Sequence, residues 1–567
     1  MPWKLTPADS EAAARLSASL AVPPAVARVL AARGLADEEH ARRYLEPQLR
    51  DLVPPRQMAD LAKAVERLGR AVAGGERIGV FGDYDVDGVS SAALCADYLV
   101  RAGADVTIRV ARRDEGYGFS PAQAREMVER EARVIVLTDC GTSDDAAVGE
   151  LAGAGIDVIA VDHHRITDVS AWPGFALVNP HRPDCGFPFK GLCSVGLAFY
   201  VMAALRRDLV GRGLDVPDPR ENLDLVALGT IADVAPLDGE NRILVAKGLQ
   251  QLARTDRPGL RELARIAEVE GKVPTSEQVA WRLAPRLNAP GRLGDAAIAL
   301  DCLWQRDAEL AVQSARRCHA LNEERKEIQR RILAEALAQG EERRDDPFCL
   351  VAGADWHPGV IGIVASKLTE HFDRPAAVIA LEGERGRASA RSLPGVDLFA
   401  LLDRCGEHML RYGGHAAAAG FSVQRDKIES LREALCREAA PALDGRERSE
   451  VKLAALVGLA AVDHALCKAL ERLEPYGEAN PQPVFGARAV RVEMVRDVGL
   501  DHIKLALRQD EAVRQAIGFG MRHKRPNVGD DIDVAFVAEI DNWRGPRLQL
   551  RLVDLAPAGA GIAGINE

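Results

Sequence analysis

The sequence predicts an α/β protein: two α/β domains joined by a long helix, with a small OB-like β-barrel at the carboxyl end. Three observations predict it. Strand-length apolar runs alternate with helix-like stretches between residues 77 and 162, a segment free of Gly and Pro runs from Asp295 to Gln339, and short, partly alternating segments fill the region after residue 450. At 567 residues the chain is too long for a single core.

Taken in order, residues 1–60 read as a helical arm. Residues 61–294 form the first α/β domain, with "RIGVFG", "DVTIRV", "RVIVLT" and "DVIAVD" as strands and "SSAALCADYLVRAG" and "DDAAVGELAGAG" as helices between them. That alternation implies a parallel sheet, whose ligand site lies beyond the carboxyl ends of its strands. Residues 295–346 are rich in Arg, Glu and Lys and read as one or two connecting helices. Residues 347–449 carry a second α/β pattern, with "FCLVAGA" and "AAVIAL" flanking the helix-like "GIVASKLTEHF". Residues 450–567 contain "VRVEMVRDV", "HIKLAL", "VRQAIGFG", "DIDVAFVAEI" and "PRLQLRLVDL", the texture of a small barrel.

Composition narrows the function. Hydrophobic residues are 47% and charged residues 28% of the chain, as in globular proteins, and no apolar run has the length of a membrane span. Ten scattered cysteines without a CxxC pair, and a start lacking a basic-then-apolar leader, fit a reducing cytoplasm. The net charge of −11 argues against a uniformly basic nucleic-acid surface, yet basic residues cluster locally, and no acidic residue falls between Gln278 and Gly294.

The chemistry is concentrated at the strand ends. Asp83, Asp139 and Asp162 each stand where a predicted strand stops, Asp85 and Asp87 follow at alternate positions, and His163 and His164 complete a DHH triplet. Like charges so close need a cation, and carboxylates with imidazoles suit Mn²⁺, Mg²⁺ or Zn²⁺. So many carboxylates exceed what one ion needs. Two ions about 4 Å apart use them, an arrangement suited to in-line attack on a phosphoester. Cys140 beside Asp139 reads as an ordinary apolar cysteine rather than a nucleophile.

In sequence order, "GDYDVDG", "TDCG", "VDHH", "ALGTIADVAPL", "APRLNAPGRL", "WHPGVIGIVASK", "ARS", "YGGHAAAAGF" and "YGEANPQPVF" resemble the DHH phosphoesterase family along almost the whole chain. Within it they are similar to the single-strand-specific 5′→3′ DNA exonucleases. The resemblance implies a DHH domain, a DHH-associated substrate-binding domain and an OB-like nucleic-acid-binding domain. It implies a centre of two Mn²⁺ or Mg²⁺ ions bound by Asp83, Asp85, Asp87, Asp139, His163, His164 and Asp233, with Asp139 bridging and Asp162 orienting an imidazole. It places Arg112 and Arg391 at substrate phosphates, with Ser389, Arg286 and Arg292 as further candidates, and Gly413, Gly414 and His415 in the substrate-binding motif of the associated domain. Trp543 and Arg544 become candidate strand contacts on the barrel. The expected reaction is hydrolysis of single-stranded DNA bearing a 5′ phosphate, releasing 5′-mononucleotides in DNA repair and recombination. The expected enzyme is a monomer, aided by a single-strand-binding protein and a helicase. Two alternatives stay open: a phosphodiesterase of short oligonucleotides or cyclic dinucleotides, and a non-catalytic nucleic-acid scaffold.

Overall fold

The computed structural model describes residues 3–561 except 117, 167, 445, 447–449 and 542–544; Trp543 and Arg544 therefore lie outside the described residues. The first sixty residues do not form a free arm. Strand β1 (Trp3–Leu5) pairs in parallel with β12 (Val451–Leu453), and the Trp3 indole N–H donates to Asp554 Oδ2 at 3.0 Å. Helices Ser10–Leu20, Pro24–Ala32 and Glu38–Leu45 bury Leu16, Val26, Leu30 and Leu45 in one core with Phe485, Leu505 and Phe536 of the C-terminal barrel.

The first α/β domain carries a five-stranded parallel sheet of β2 (Ile78–Gly82), β3 (Val106–Val110), β4 (Val134–Thr138), β5 (Asp157–Val161) and β6 (Ala176–Val178), in the order β3-β2-β4-β5-β6. Strands β2 and β4 are buried at every residue, which is why they read as unbroken apolar runs. The chain leaves β2 for β3 on one side and returns to β4 on the other, so the topological switch lies between β2 and β4, the place where such sheets bind ligands. Asp83 and Asp139 follow those two strands directly.

Helices from Ser194 to Trp304 complete this domain. Helix Ala308–Glu342 then runs about 52 Å at 1.5 Å per residue. Its first half buries Ala315 and Cys318 in the first domain, and its second half buries Ile332 and Ala336 in the second. One rigid element is thus shared by two cores, and this fixes their relative position.

The second α/β domain has strands β7 (Cys349–Ala354), β8 (Ala376–Glu382), β9 (Arg385–Arg391), β10 (Arg411–Gly414) and β11 (Ala418–Gln424) in the order β10-β11-β9-β8-β7, with only β7 and β8 parallel. After β12 and β13 (Ala455–Leu456), strands β14 (Phe485–Val498), β15 (His502–Gln509), β16 (Ala512–Gly518), β17 (Asp531–Asp541) and β18 (Arg547–Pro557) close a five-stranded barrel through the β14–β17 pair. Register shifts near Val492 and Ala487 bend β14 enough to pair on both sides. Among the described residues no helix is long and apolar enough to cross a membrane.

Candidate metal centre

Each acidic side chain is placed by a different local device. Asp85 caps helix Val86–Arg101, its Oδ1 accepting the Gly88 N–H at 3.1 Å. Asp87 lies inside the first turn of that helix. The three alternate aspartates therefore span a strand end, a cap and a helix rather than a single tight turn, and the reach inward comes from the helix start. Gly88 is required by close approach: a Cβ there would stand 2.6 Å from the Asp83 backbone N and O. Asp87 is wholly buried, its two oxygens accepting the Ser194 and Val195 N–H groups at 2.7 and 2.9 Å from the start of helix Ser194–Gly211.

Asp139 holds φ +62, a left-handed backbone that costs a non-glycine residue about 1–3 kcal/mol and that clusters at functional sites. Its Oδ1 accepts the Ser194 hydroxyl at 3.1 Å and stands 3.3 Å from His163 Nε2. The same His163 nitrogen is 3.9 Å from Asp87 Oδ2 and 3.9 Å from Asp233 Oδ2, the latter at the carboxyl cap of helix Leu223–Ala232. Asp162 Oδ1 accepts the His163 and His164 backbone N–H groups and meets His164 Nδ1 at 2.7 Å, while Oδ2 accepts the Thr142 N–H at 3.1 Å. Asp162 thus holds the DHH turn and the second imidazole, as outer partners of metal ligands do.

Ligand atoms of Asp83, Asp85 and Asp139 lie within 4.8 Å of one another, as do those of Asp87, His163 and Asp233, and those of Asp139, His163 and His164. Asp139 and His163 each belong to two of these groups, so together they link all three. Burial first, then the charge of Asp85, pushes Asp83 up to about 8, and burial, then Asp87 and Asp85, does the same to Asp233. Asp87 is raised by burial, and Asp139 is raised well above the usual carboxylate range by burial and then by Asp85 and Asp87. Burial acts against ionisation of Asp162 as well, but the hydrogen bond and charge of His164 hold it well below the usual range. Burial lowers His164, and its bond to Asp162 overrides this and lifts it to about 9. Asp83 Oδ1 is buried and meets no donor. An oxygen-rich set with imidazole, crowded with buried carboxylates and one orphaned oxygen, fits a pair of Mn²⁺ or Mg²⁺ ions.

A pH signature follows. Carboxyls whose pKa is higher folded than unfolded bind more protons in the native state, so they remove stability as pH rises from about 4 to about 8. His164 adds to this trend: its stabilisation is complete below about 6.5 and is lost as pH passes about 9. Cations displace those protons, so the rise in melting temperature produced by Mn²⁺ should grow steadily between pH 5 and pH 8. A Mn²⁺-induced rise that stays constant over this range would remove the buried carboxylates from the ligand set.

A guanidinium cluster adjoins the centre. Arg292 lowers to about 10 through burial, followed by the charges of Arg113, Arg325 and Arg391, with Asp85 opposing. Its Nη1 donates to Gly359 O at 3.3 Å, linking helix Ala284–Leu293 to the second domain. Arg391 Nη1 donates to Ser389 Oγ at 3.1 Å, and Gly362, in the first turn of helix Ile361–Phe372, lies so close that a Cβ would stand 3.0 Å from Ser389 Oγ and 3.2 Å from Arg391 Nη2. Arg286 has a buried, unpartnered Nε, as does Arg325. Gly413, Gly414 and His415 are exposed at the end of β10, where His415 and Gly414 face His163, His164 and Asp233 across a cleft of about 810 Å³.

Arg112 stands apart. Its side chain is turned outward onto Asp114, at 3.2 and 3.3 Å. Arg113 enters the cluster instead, with its guanidinium 4.3 Å from the Tyr84 ring and Nε donating to Gly291 O at 2.8 Å. The short helical turn Arg113–Glu115 sets this choice, because adjacent side chains there point in different directions. Sequence reasoning also missed Ser194 and Arg325. Ser194 opens an apolar helix with no signal of its own, whereas Arg325 lies among many charged residues of the long helix.

Comparison with known proteins agrees with this architecture. Residues 77–230 match the DHH family N-terminal domain, 345–440 the DHHA1 domain and 454–554 the RecJ OB domain. The chain is 34% identical over 574 residues to the single-stranded-DNA-specific exonuclease RecJ of Salmonella typhimurium, covering 97% of this chain and 98% of that one. It is 33% identical over 557 residues to the Escherichia coli protein of the same name, covering 94% and 96%. The crystal structure of RecJ in complex with Mn²⁺ from Thermus thermophilus superposes with a TM-score of 0.84 at 30% identity, covering 100% of this chain and 80% of that one, and the corresponding Mg²⁺ complex gives 0.78 at 29%, covering 99% and 79%. With both α/β domains and the barrel matched in order, the chain belongs to the RecJ family of DHH phosphoesterases.

Proposed function

We propose that the protein hydrolyses single-stranded DNA from its 5′ end, releasing 5′-mononucleotides at a two-cation centre. The observation that carries this reading is the placement of a metal-ligand group, with no available side-chain nucleophile among the described residues, beside a half-buried guanidinium cluster. The relatives named above are single-stranded-DNA-specific exonucleases, which agrees with it. Cys140 is no alternative nucleophile: burial pushes its thiol up, and its S–H donates to Thr138 O at 3.6 Å. Ser194 Oγ is engaged with Asp139.

In this reading Asp83, Asp85 and Asp139 would hold one ion, and Asp87, His163 and Asp233 the other, with His164 beside Asp139 and His163 as a further ligand candidate. Bound divalent cations supply activation of water and neutralise charge on the attacking and leaving oxygens. The protein's own groups position the strand. Asp162 fixes the orientation of His164 through Nδ1. Arg391, Ser389 and Arg292 receive the 5′ phosphate, with Arg113 in the role first assigned to Arg112. Gly413, Gly414 and His415 close the cleft from the second domain. The reading includes monomeric action, since both walls of the cleft come from one chain, and it includes a cytoplasmic location. It also includes cooperation with a helicase and a single-strand-binding protein, which would present free 5′ ends.

The test is a 5′-³²P-labelled single strand with Mn²⁺, alongside EDTA and duplex controls. Labelled mononucleotide should appear at once from the single strand alone. Turnover confined to dinucleotides would favour the small-substrate phosphodiesterase, and retention of an intact strand would favour the scaffold. Arg391→Ala should slow cleavage of 5′-phosphorylated strands roughly 10- to 100-fold, the scale of a lost charged hydrogen bond. Strands with a 5′ hydroxyl should be affected little; equal loss on both ends would take Arg391 away from the phosphate.

A further inference from the structure

Away from the metal centre, one buried guanidinium joins the two helices that supply Asp87 and Asp233. Helix Val86–Arg101 carries Asp87 in its first turn and Asp97 near its end, whereas helix Leu223–Ala232 carries Asp224 in its first turn and ends at Asp233. The two run antiparallel. At one end Asn222 Nδ2 donates to Leu94 O at 3.3 Å, and at the other a Cβ on Gly229 would stand 2.7 Å from Ser90 Oγ and 3.0 Å from Asp87 Oδ1.

Arg257 lies at the end remote from the metal ligands and is buried. Its Nη2 donates to Asp97 Oδ2 at 3.3 Å and to Asn222 Oδ1 at 3.1 Å, and its Nε donates to Asp224 Oδ2 at 3.3 Å. Nη1 donates to Leu303 O at 3.0 Å, and the Thr255 hydroxyl completes the set by donating to Asp224 Oδ2 at 2.6 Å. Burial works against an ionised Asp97, yet the charges of Arg257 and Arg306 hold it below the usual carboxylate range. A buried network of this kind adds little net stability, because the cost of taking its charges out of water offsets their attraction. What its rigid fork of donors supplies is fixed geometry.

The geometry it fixes reaches the metal ligands. At 1.5 Å per residue, Asp97 stands about 15 Å from Asp87 along one helix and Asp224 about 14 Å from Asp233 along the other, so the two arms have nearly equal reach. They touch at Gly229 with no room for a methyl group, so a slip at the Arg257 end is carried to the ligand end. There His163 Nε2 lies 3.9 Å from Asp87 Oδ2 and 3.9 Å from Asp233 Oδ2. Asp83 and Asp139 instead follow strands β2 and β4, whose ladder holds them independently of this helix pair.

We propose that Arg257 is a positioning residue for the metal centre: from the far ends of two helices it sets the spacing of Asp87 and Asp233, and so the affinity for one divalent cation of the pair. The proposal rests on the two-cation reading above and deepens it.

Mn²⁺ titrations read from the electron paramagnetic resonance of the free ion test it, on wild type, Arg257→Lys and Thr255→Val. Arg67→Lys is the control, since Arg67 is also buried but pairs with Glu76 and Asp157, apart from both helices. Lysine keeps a charge near Asp97 but loses the fork. Wild type should bind two ions. Arg257→Lys should bind one of them as wild type does and the other roughly 10- to 100-fold more weakly, the scale of a lost outer partner of a metal site. Excess Mn²⁺ should then return its cleavage rate toward that of wild type. The nearly isosteric Thr255→Val should weaken the same ion by a smaller factor, and it decides the matter if Arg257→Lys does not fold. Arg67→Lys should bind both ions as wild type does even though its melting temperature in EDTA falls. The proposal is overturned if the deciding variant binds both ions as wild type does, weakens both alike, or weakens them no more than Arg67→Lys. Fewer than two ions on wild type would overturn the two-cation reading itself, a result distinct from each of those.

Discussion

Asp139→Asn should lower hydrolysis of a single strand by roughly three orders of magnitude or more, in keeping with loss of a ligand shared by two ions. It should also raise the melting temperature of the metal-free protein. The two effects share one cause. Asp139 is buried, pushed well above the usual carboxylate range by burial and by Asp85 and Asp87, and so destabilises the fold at neutral pH unless cations neutralise it. An amide keeps the size and the hydrogen bond from Ser194 Oγ but removes the charge. Asn is a better probe than Ala because the φ of +62 at this position is best tolerated by Asn and Asp. Calorimetry in EDTA and a 5′-end release assay in Mn²⁺ check both halves. Undiminished cleavage would remove Asp139 from the centre, and a lower metal-free melting temperature would show that its charge is already compensated.

Gly88→Ala should be strongly damaging, destabilising by about 2–4 kcal/mol. Within a helix that exchange ordinarily stabilises by up to about 1 kcal/mol. Here the new methyl would stand 2.6 Å from backbone atoms of Asp83, and Gly82 in turn presses on the carbonyl of Gly88 at a would-be 2.5 Å. Neither obstacle is a flexible side-chain end, so strand β2 and the helix start must separate, carrying Asp83 and Asp85 apart. Mn²⁺ affinity should fall with stability. Gly153→Ala, at the end of helix Asp145–Gly153 with nothing near its would-be Cβ, is the control and should be neutral or mildly stabilising. A fully stable Gly88→Ala would mean that the two elements can part without penalty.

Much of this is legible in the sequence because parallel strands buried on both faces appear as continuous apolar runs, and the residues after them mark one edge of the sheet. That logic alone locates Asp83, Asp139 and Asp162. It does not resolve Arg112 from Arg113, since a single turn decides which of two adjacent guanidinium groups faces inward. Nor does it show that Ser194 touches Asp139, or that Arg391 of the second domain comes near enough to act on Arg292 by charge, because those pairs are 55 and 99 positions apart with no periodic signature. The helical texture of residues 1–60 is visible, but their partner is not, since it lies more than four hundred residues away.

That distant partnership has a consequence for synthesis. Leu16, Val26, Leu30 and Leu45 are finished long before Phe485, Leu505 and Phe536 leave the ribosome. At about 5–20 residues per second, roughly 25–100 s separate the two. For that interval the apolar faces of three helices and the edge of β1 lack the partners that cover them in the finished fold. Once the barrel closes over them, the chain passes between barrel and first domain twice, before residue 61 and again after residue 342 by way of the second domain. The barrel is then held by two leashes rather than one.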